Sequence, residues 1–519
     1  MSRPLPWFLR LEFWTGRVPG SRRLAGFFLR GLALIQLLFF GSLLPQIRGL
    51  FGSRGVLPAA QVWENLVAEG GKLEAFLALP GWHVVFGVSD SVLLGVGGCG
   101  ILGSLGLLLN LFPAAGAAVA ASCILSLISL GTLFLQFQWD ALLLESSLLG
   151  LLLTLSLPAS RGVRGLARFK RQRAEVPLVL FGAFLFLNVR LWFGSAFVKL
   201  ASGDPLWRSL TALRVHFETQ PLPTPWAPKV HFLIDSAPDF LARGLTLGVL
   251  GIEGVLPWLL WGATGVLLSG RLRSSVGVRL FLAKGVLVLL LFQAAIALTG
   301  NYAFFNALTA LLLVWFLVGL VLPGGGALPV LSAEGLRGRG RLLSRAACIN
   351  AMAALWLSVQ VLWVVPQWLG GRAPSFLLPA SQWGLVQSYG LFARMTRERD
   401  ELVLQGSVDG KIWSDFEFRY KPGRTDRPLS WIAPHQPRLD WQAWFAALEE
   451  PSVRSWWRLL MLRVLAGEPR VLALFETVPQ PPPRFVRTLK YRYRFDPAGK
   501  GWQRELRGVH FPELSIVPR

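Results

Sequence analysis

Cysteine, histidine and tyrosine are scarce in this chain, with 3 Cys, 5 His and 5 Tyr among 519 residues. Cys99, Cys123 and Cys348 each fall in an apolar segment, which excludes a disulfide framework and a cysteine-based zinc cluster. His83, His216, His231, His435 and His510 show no metal-ligand spacing; His216 beside Glu218 is too sparse a pair, and no metal or other cofactor is expected. Acidic residues are also few, 29 against 52 Lys and Arg, leaving a net charge of +23. That excess could suggest nucleic acid. The cations, however, sit mainly in short segments between apolar runs and in the C-terminal part, where the former read as topogenic charge, so no nucleic-acid partner is expected.

What is abundant is apolar sequence: a hydrophobic fraction of 53%, 35 Phe, 22 Trp and a mean hydropathy of +0.50, the composition of a protein whose partner is the lipid bilayer. Nine runs of spanning length occur at residues 25–44, 91–112, 115–135, 139–157, 176–199, 240–261, 278–298, 302–322 and 347–365, each near the ~20 residues that cross a bilayer as helix. The partly apolar segment 61–88 is expected to add an interfacial helix. The first run reaches Pro45 without a small-residue cleavage pattern, so it reads as a spanning helix and not as a removable signal. GCGILG at 98–103 matches a dinucleotide fingerprint as text, but it lies inside a span with no strand before it; Gly95, Cys99 and Gly103 read instead as a close helix-packing face.

Basic clusters precede the first run (Arg3, Arg10, Arg17, Arg22, Arg23) and follow the fourth (Arg161, Arg164, Arg168, Lys170, Arg171, Arg173), the sixth (Arg271, Arg273) and the eighth (Arg337, Arg339, Arg341, Arg345). All fall on one side, which the positive-inside rule makes the cytoplasm, with the N-terminus. The loop at 201–239 and everything after the ninth run then lie opposite. From about Leu378 the pattern changes: alternation around Asp409-Gly410 signals a hairpin, residues 440–465 read as helix with Trp441, Trp444, Phe445 and Leu448 on one face, and 489–495 alternate as a strand. The expected architecture is a polytopic α-helical membrane protein of about nine spans (residues 1–370, with an extracytoplasmic loop at 201–239) and a C-terminal extracytoplasmic α+β domain (378–519).

The densest polar and aromatic run between two apolar segments is 195–228, with Asp204, Trp207, Arg208, His216, Glu218, Thr219, Gln220, Pro221 and further prolines. On composition it reads either as a Pro-stiffened loop on the membrane surface or as a functional loop. SGDPLWRSLTAL with HFETQPLPTP in this run resembles the signature of the lipase maturation factor family. QWDALLLES at 138–146, NYAFFNALT at 301–309, the segment 388–423 and WIAPHQPRLDWQAWFAAL at 431–448 resemble it too. The resemblance implies a membrane-bound assembly factor for exported client proteins, lipases in particular; the short loops and absent glycosylation-type elaboration favour an inner membrane of bacterial type over the endoplasmic reticulum. The vertebrate members are multi-pass endoplasmic-reticulum proteins needed for secreted lipases to fold and dimerise. No G-x-S-x-G elbow occurs, so the chain does not read as a lipase itself.

By parity Trp139, Asp140 and Glu145 enter from the outer side, Lys199 leaves the fifth span there, and Asn301, Tyr302 and Asn306 open the eighth there. The ionisable residues inside spans, Asp140, Glu145, Arg190, Lys199 and Glu253, form a candidate site; the alternative is an ion-pair network that fixes helix packing. Arg190 and Lys199 stand nine residues apart, about 180° around a helix, and Asp140 and Glu145 about 140° apart, so neither pair shares a face of a straight helix. FVKL also resembles, distantly, the membrane part of vitamin K-dependent carboxylases and related horizontally transferred transmembrane proteins, in which a lysine acts as base. That likeness implies an enzyme using Lys199, with Asp140 where a histidine belongs. The residues themselves favour Lys199 as an ion-pair partner of Asp140 or Asp204, and no catalytic residue is expected.

Overall fold

A computed structural model of the protein describes residues 16–157, 175–322 apart from 271 and 273, 340–448, and 451–515 apart from 500. Of the basic residues used for topology, Arg3, Arg10, Arg161, Arg164, Arg168, Lys170, Arg171, Arg173, Arg271, Arg273, Arg337 and Arg339 lie outside the described residues. Among the described residues, eight of the nine apolar runs form helices long and apolar enough to cross a bilayer. In lipid a spanning segment must satisfy its backbone groups internally, which the helix does.

These helices are α1 (Ser21–Leu43), α3 (Asp90–Leu108), α4 (Pro113–Gly131), α5 (Gln138–Ser156), α6 (Leu178–Ala201), α12 (Val276–Thr299) and α14 (Gly340–Trp368), with α10 (Asp239–Gly254) and α11 (Leu256–Leu268) forming one candidate span with a break at Val255 before Pro257. Two short strands, β1 (Arg17–Val18) and β2 (Val176–Pro177), pair ahead of α1 and α6. The run at 302–322 departs from expectation. Its helix α13 (Phe305–Leu312) tightens into a 3-10 turn at Leu313–Leu317, making a shorter apolar segment, Phe305–Val321. Trp315 in that turn is fully buried and stacks on Phe184 with ring centroids 4.2 Å apart.

α5 and α6 form the centre of the bundle: 78% of each spanning window is buried, against 28% for α10–α11, α12 and α14. The close packing of α3 runs through Gly97, Gly100 and Gly103, where a Cβ on Gly103 would lie 2.9 Å from the Gly116 carbonyl oxygen of α4. Gly95 and Cys99 are exposed; of the expected face only Gly103 belongs, because the buried stripe follows the 3.6-residue period through Leu93, Val96, Gly97 and Gly100. The segment expected to be interfacial holds a helix, α2 (Ala59–Ala78), kinked at Gly71.

Between α6 and α10 the loop folds into three short helices, α7 (Pro205–Arg208), α8 (Ala212–Thr219) and α9 (Ala227–Asp235). The C-terminal part carries β3 (Arg399–Ser407), β4 (Ser414–Asp415), β5 (Glu417–Phe418), α15 (Arg438–Ala446), α16 (Pro451–Leu465), β6 (Phe475–Thr477), β7 (Phe485–Phe495) and β8 (Trp502–Ser515). The main sheet has the order β4-β3-β7-β8. The Asp409-Gly410 hairpin forms, with Asp409 Oδ1 accepting from the Lys411 and Ile412 amides, but β4 is short and β3 pairs along its length with β7, from Arg399 opposite Tyr493 to Ser407 opposite Phe485. Residues 440–465 are two helices, α15 and α16, not one, with a proline opening the second. Trp457 of α16 donates to Thr488 Oγ1 of β7 at 2.9 Å, and its neighbour Trp456 meets Phe134 edge-on, so one hydrophobic core runs from the membrane helices into the sheet.

Candidate functional site

The five ionisable residues inside the spans do not form one cluster. Each acid takes a different partner. Asp140, in the first turn of α5, accepts a two-pronged contact from Arg438 of α15, Nη1 to Oδ2 at 2.7 Å and Nη2 to Oδ1 at 2.8 Å, and Arg438 Nη1 also donates to the Phe134 carbonyl. Both residues are buried. Beside them Trp139 stacks on Phe137 and meets Trp441 of α15 edge-on. Glu145, five residues on and on another face, pairs with Arg190 Nη2 of α6 and accepts from Tyr389 Oη at 3.0 Å, while the Arg190 guanidinium lies over the Tyr389 and Trp356 rings. Gly194 lets the chain at Tyr389 come this close, since a Cβ there would be 2.6 Å from the Tyr389 carbonyl oxygen.

Lys199 pairs with neither Asp140 nor Asp204. Its Nζ is 2.6 Å from Glu253 Oε2 of α10 and lies over the Trp207 ring. The helix geometry explains the division: Arg190 and Lys199 point to opposite sides of α6, and α10 supplies the acid on the Lys199 side. Asp204 has another role. Its Oδ1 accepts from Leu206 N at the start of α7, and its Oδ2 from Met395 N, while Trp207 Nε1 donates to the Phe392 carbonyl. Arg208 is exposed.

The loop at 201–239 is fastened to the C-terminal strands by buried groups. Arg399 at the start of β3 donates to the carbonyls of Glu218, Gln220 and Pro221 and to Glu401 Oε1, whose other oxygen accepts from Lys421 Nζ at 2.8 Å. Glu218 Oε2 accepts from Phe495 N of β7, and the Thr219 carbonyl from Trp444 Nε1 of α15. Ala227 of α9 packs with Tyr493, Phe495 and Trp502. Asn301 closes the other edge with its whole amide: Nδ2 donates to the carbonyls of Leu222 and Ser430, and Oδ1 accepts from Ile432 N and Ala433 N. Tyr302 Oη donates to Gln220 Oε1, Gln220 Nε2 donates to the Thr299 carbonyl, and Asn306 Nδ2 donates to the Gln293 carbonyl. Burial pushes the Tyr302 phenol well above its ordinary value, so it stays a donor.

Next to this joint, α6, α8, α10 and α12, with α9 and α13, border a half-open cavity of about 650 Å³ lined by Lys199, Glu253, His216 and Trp207 among many apolar side chains. His216 meets Phe392 edge-on. Burial, and then the nearby Lys199 charge, lower its pKa to about 4, so the imidazole is neutral at neutral pH. Glu218 turns away from it toward Phe495 and His231, so the two do not form a ligand pair.

Family models match both parts of the chain: the lipase maturation factor transmembrane domain over residues 23–322 and the lipase maturation factor C-terminal domain over 385–512. The chain belongs to the lipase maturation factor family. It is 31% identical to lipase maturation factor 2 of Homo sapiens over 621 residues, spanning 96% of this chain and 83% of that protein. Lipase maturation factor 1 of Homo sapiens is 31% identical over 97% of this chain and 88% of its own length, and lipase maturation factor 2 of Rattus norvegicus is 30% identical over 94% and 82%. No solved structure matches the chain. The carboxylase-type alternative finds no support in these comparisons.

Three residues central to this geometry escape sequence reasoning: Arg399, Arg438 and Tyr389. Each lies inside a segment that carries the family likeness, yet nothing local distinguishes Arg399 from Arg397 or Arg394. Their partners lie 179, 298 and 244 positions away along the chain.

Proposed function

We propose that this protein is a membrane-bound maturation factor for exported enzymes, with lipases, the class named by its relatives, as the clients. Family membership over both parts of the chain carries this reading. The joint supports it further: the loop at 201–239 and the C-terminal domain are locked together by Arg399, Glu218 and Asn301 and so offer a client one rigid surface. In this reading the surface lies on the side of the membrane where exported chains fold, with the N-terminus in the cytoplasm. Trp139, Asp140, Glu145, Arg190, Lys199 and Asn301 act by positioning that surface.

The test is deletion of the gene followed by measurement of secreted lipase mass and specific activity. Loss of activity per molecule with normal synthesis, restored by the wild-type gene, is the expected result; an unchanged exported proteome and unchanged lipase activity would refute it. A reporter fused at Gly423 checks the orientation, and cytoplasmic activity there would reverse it.

A further inference from the structure

The cavity among α6, α8, α10 and α12, about 650 Å³, falls in the range of small-molecule sites, roughly 300–1,000 Å³. Its wall is mostly apolar, with Leu191, Leu213, Ile252 and Ile296. Three side-chain atoms in that wall have no hydrogen-bond partner among the described residues: Trp192 Nε1, Gln293 Oε1 and Thr309 Oγ1. These residues are only 3%, 7% and 2% exposed. Buried polar groups in folded proteins are nearly always satisfied, so three unpartnered atoms among the residues lining one cavity leave hydrogen-bonding capacity for a bound polar group. The chemistry of that group follows from theirs. The indole N–H can only donate, the amide oxygen can only accept, and the hydroxyl does either. Hydroxyl groups, which both donate and accept, suit each of the three.

Charge narrows the class. Among the residues lining the cavity, Lys199 and Glu253 are the ionised pair and neutralise each other at 2.6 Å. No cation is left over for a phosphate or carboxylate, whose desolvation in such a wall would go uncompensated. The source is the bilayer itself. The cavity is flanked by α10 and α12, whose outward residues Leu247, Leu287 and Leu291 are more than half exposed and apolar, as lipid-facing positions are. Trp192 stands seven residues before Lys199, about 10 Å along the α6 axis, which sets the unpaired polar atom inside the bundle and away from the helix end.

We propose that this cavity binds one uncharged, hydroxyl-bearing single-chain lipid, of the monoacylglycerol kind, with the acyl chain along the apolar wall and a hydroxyl among Trp192, Gln293 and Thr309. The cavity borders the loop at 201–239 through Trp207 and His216, but the proposal does not rest on the client reading.

Purified full-length protein in nanodiscs, labelled with a photoactivatable, alkyne-tagged monoacylglycerol, tests it. Label is expected on peptides containing Trp192, Gln293 or Thr309, with unlabelled monoacylglycerol competing. Gly248 lines the cavity, and a Cβ added to it would meet nothing within 4 Å, so a large side chain fits there. Gly248→Trp should cut labelling at least tenfold, and the near-isosteric double variant Gln293→Leu with Thr309→Val should do so too, at unchanged thermal stability. Equal competition by a fatty-acid anion or by phosphatidylglycerol would overturn the argument from charge. Labelling that survives both variants, or that spreads over the outer faces at Leu247 and Leu291, would reduce the lipid to an annular one and overturn the site. Should Gly248→Trp fail to accumulate, the double variant decides. Because the assay reads lipid and not client, its failure leaves the maturation reading standing.

Discussion

Replacing Arg399 with lysine tests the joint between the loop at 201–239 and the C-terminal strands. Arg399 is 1% exposed, and its guanidinium gives its donors to the carbonyls of Glu218, Gln220 and Pro221 and to Glu401. Lysine keeps the charge and can meet Glu401, but one compact ammonium cannot reproduce a planar fork that serves three carbonyls and a carboxylate together. At least two carbonyls then lose their donor. Each buried acceptor left alone costs about 1–3 kcal/mol, partly offset because a smaller head is easier to hydrate, so the net expectation is about 2–4 kcal/mol for Arg399→Lys. For Arg399→Met, where all three carbonyls lose their donor, it is about 3–5 kcal/mol. Glu401 keeps Lys421 at 2.8 Å in either variant, so the loss reports on the loop and not on a stranded carboxylate. The assay is hydrogen exchange on full-length protein in detergent, read at the amides of 213–226. A local destabilisation of about 2 kcal/mol corresponds to about thirtyfold faster exchange in that segment. Unchanged exchange there, together with an unchanged melting temperature in the lysine variant, would refute the idea that Arg399 holds the loop.

Asp140 and Arg438 should behave as one unit: Arg438→Met or Asp140→Leu alone is expected to lower thermal stability by about 3–5 kcal/mol, and the double variant to recover much of it; additive losses in the cycle would count against the pairing. For Lys199, Arg is expected to be tolerated and Lys199→Ala to lower the protein level, since the partner Glu253 then sits buried and alone; an abundant, folded but inactive Lys199→Arg protein would restore the enzyme reading. His216 is neutral when folded, with its pKa lowered to about 4, so the unfolded chain binds the extra proton as pH falls through ~6.5 and stability drops between there and ~4, by about 2 kcal/mol at pH 5. That slope should vanish in His216→Phe when melting is followed from pH 7.5 to 4.5, and a slope that persists would place its origin elsewhere. Gly194→Ala should destabilise by about 1–3 kcal/mol through the contact with the Tyr389 carbonyl, whereas Gly182→Ala on the same helix, with open space around it, should be neutral or slightly stabilising in the same melting assay.

The spans, the hairpin at Asp409-Gly410 and the alternation of β7 are legible in the sequence because each follows from a local rule: hydrocarbon demands a continuous apolar helix, a tight turn demands a residue such as Gly410 at φ 73°, and a half-buried strand demands a period of two. Those rules use only neighbours. The run at 302–322 reads as a full span because its apolarity is the same whether it meets lipid or protein; that it shortens around Trp315 depends on Phe184, more than a hundred residues away. The candidate site shows the same limit. Sequence places Asp140, Glu145, Arg190 and Lys199 in apolar helices, and helical angles correctly forbid a shared face for Arg190 with Lys199. It cannot choose partners, because a buried charge is satisfied by whatever opposite charge or donor the fold brings within reach: Arg438 for Asp140, Arg190 with Tyr389 for Glu145, and Glu253 for Lys199. Which face each helix turns inward was set by helical period; which residue meets it there was decided only by the tertiary packing of α6, α10, α15 and the segment at Tyr389 against it.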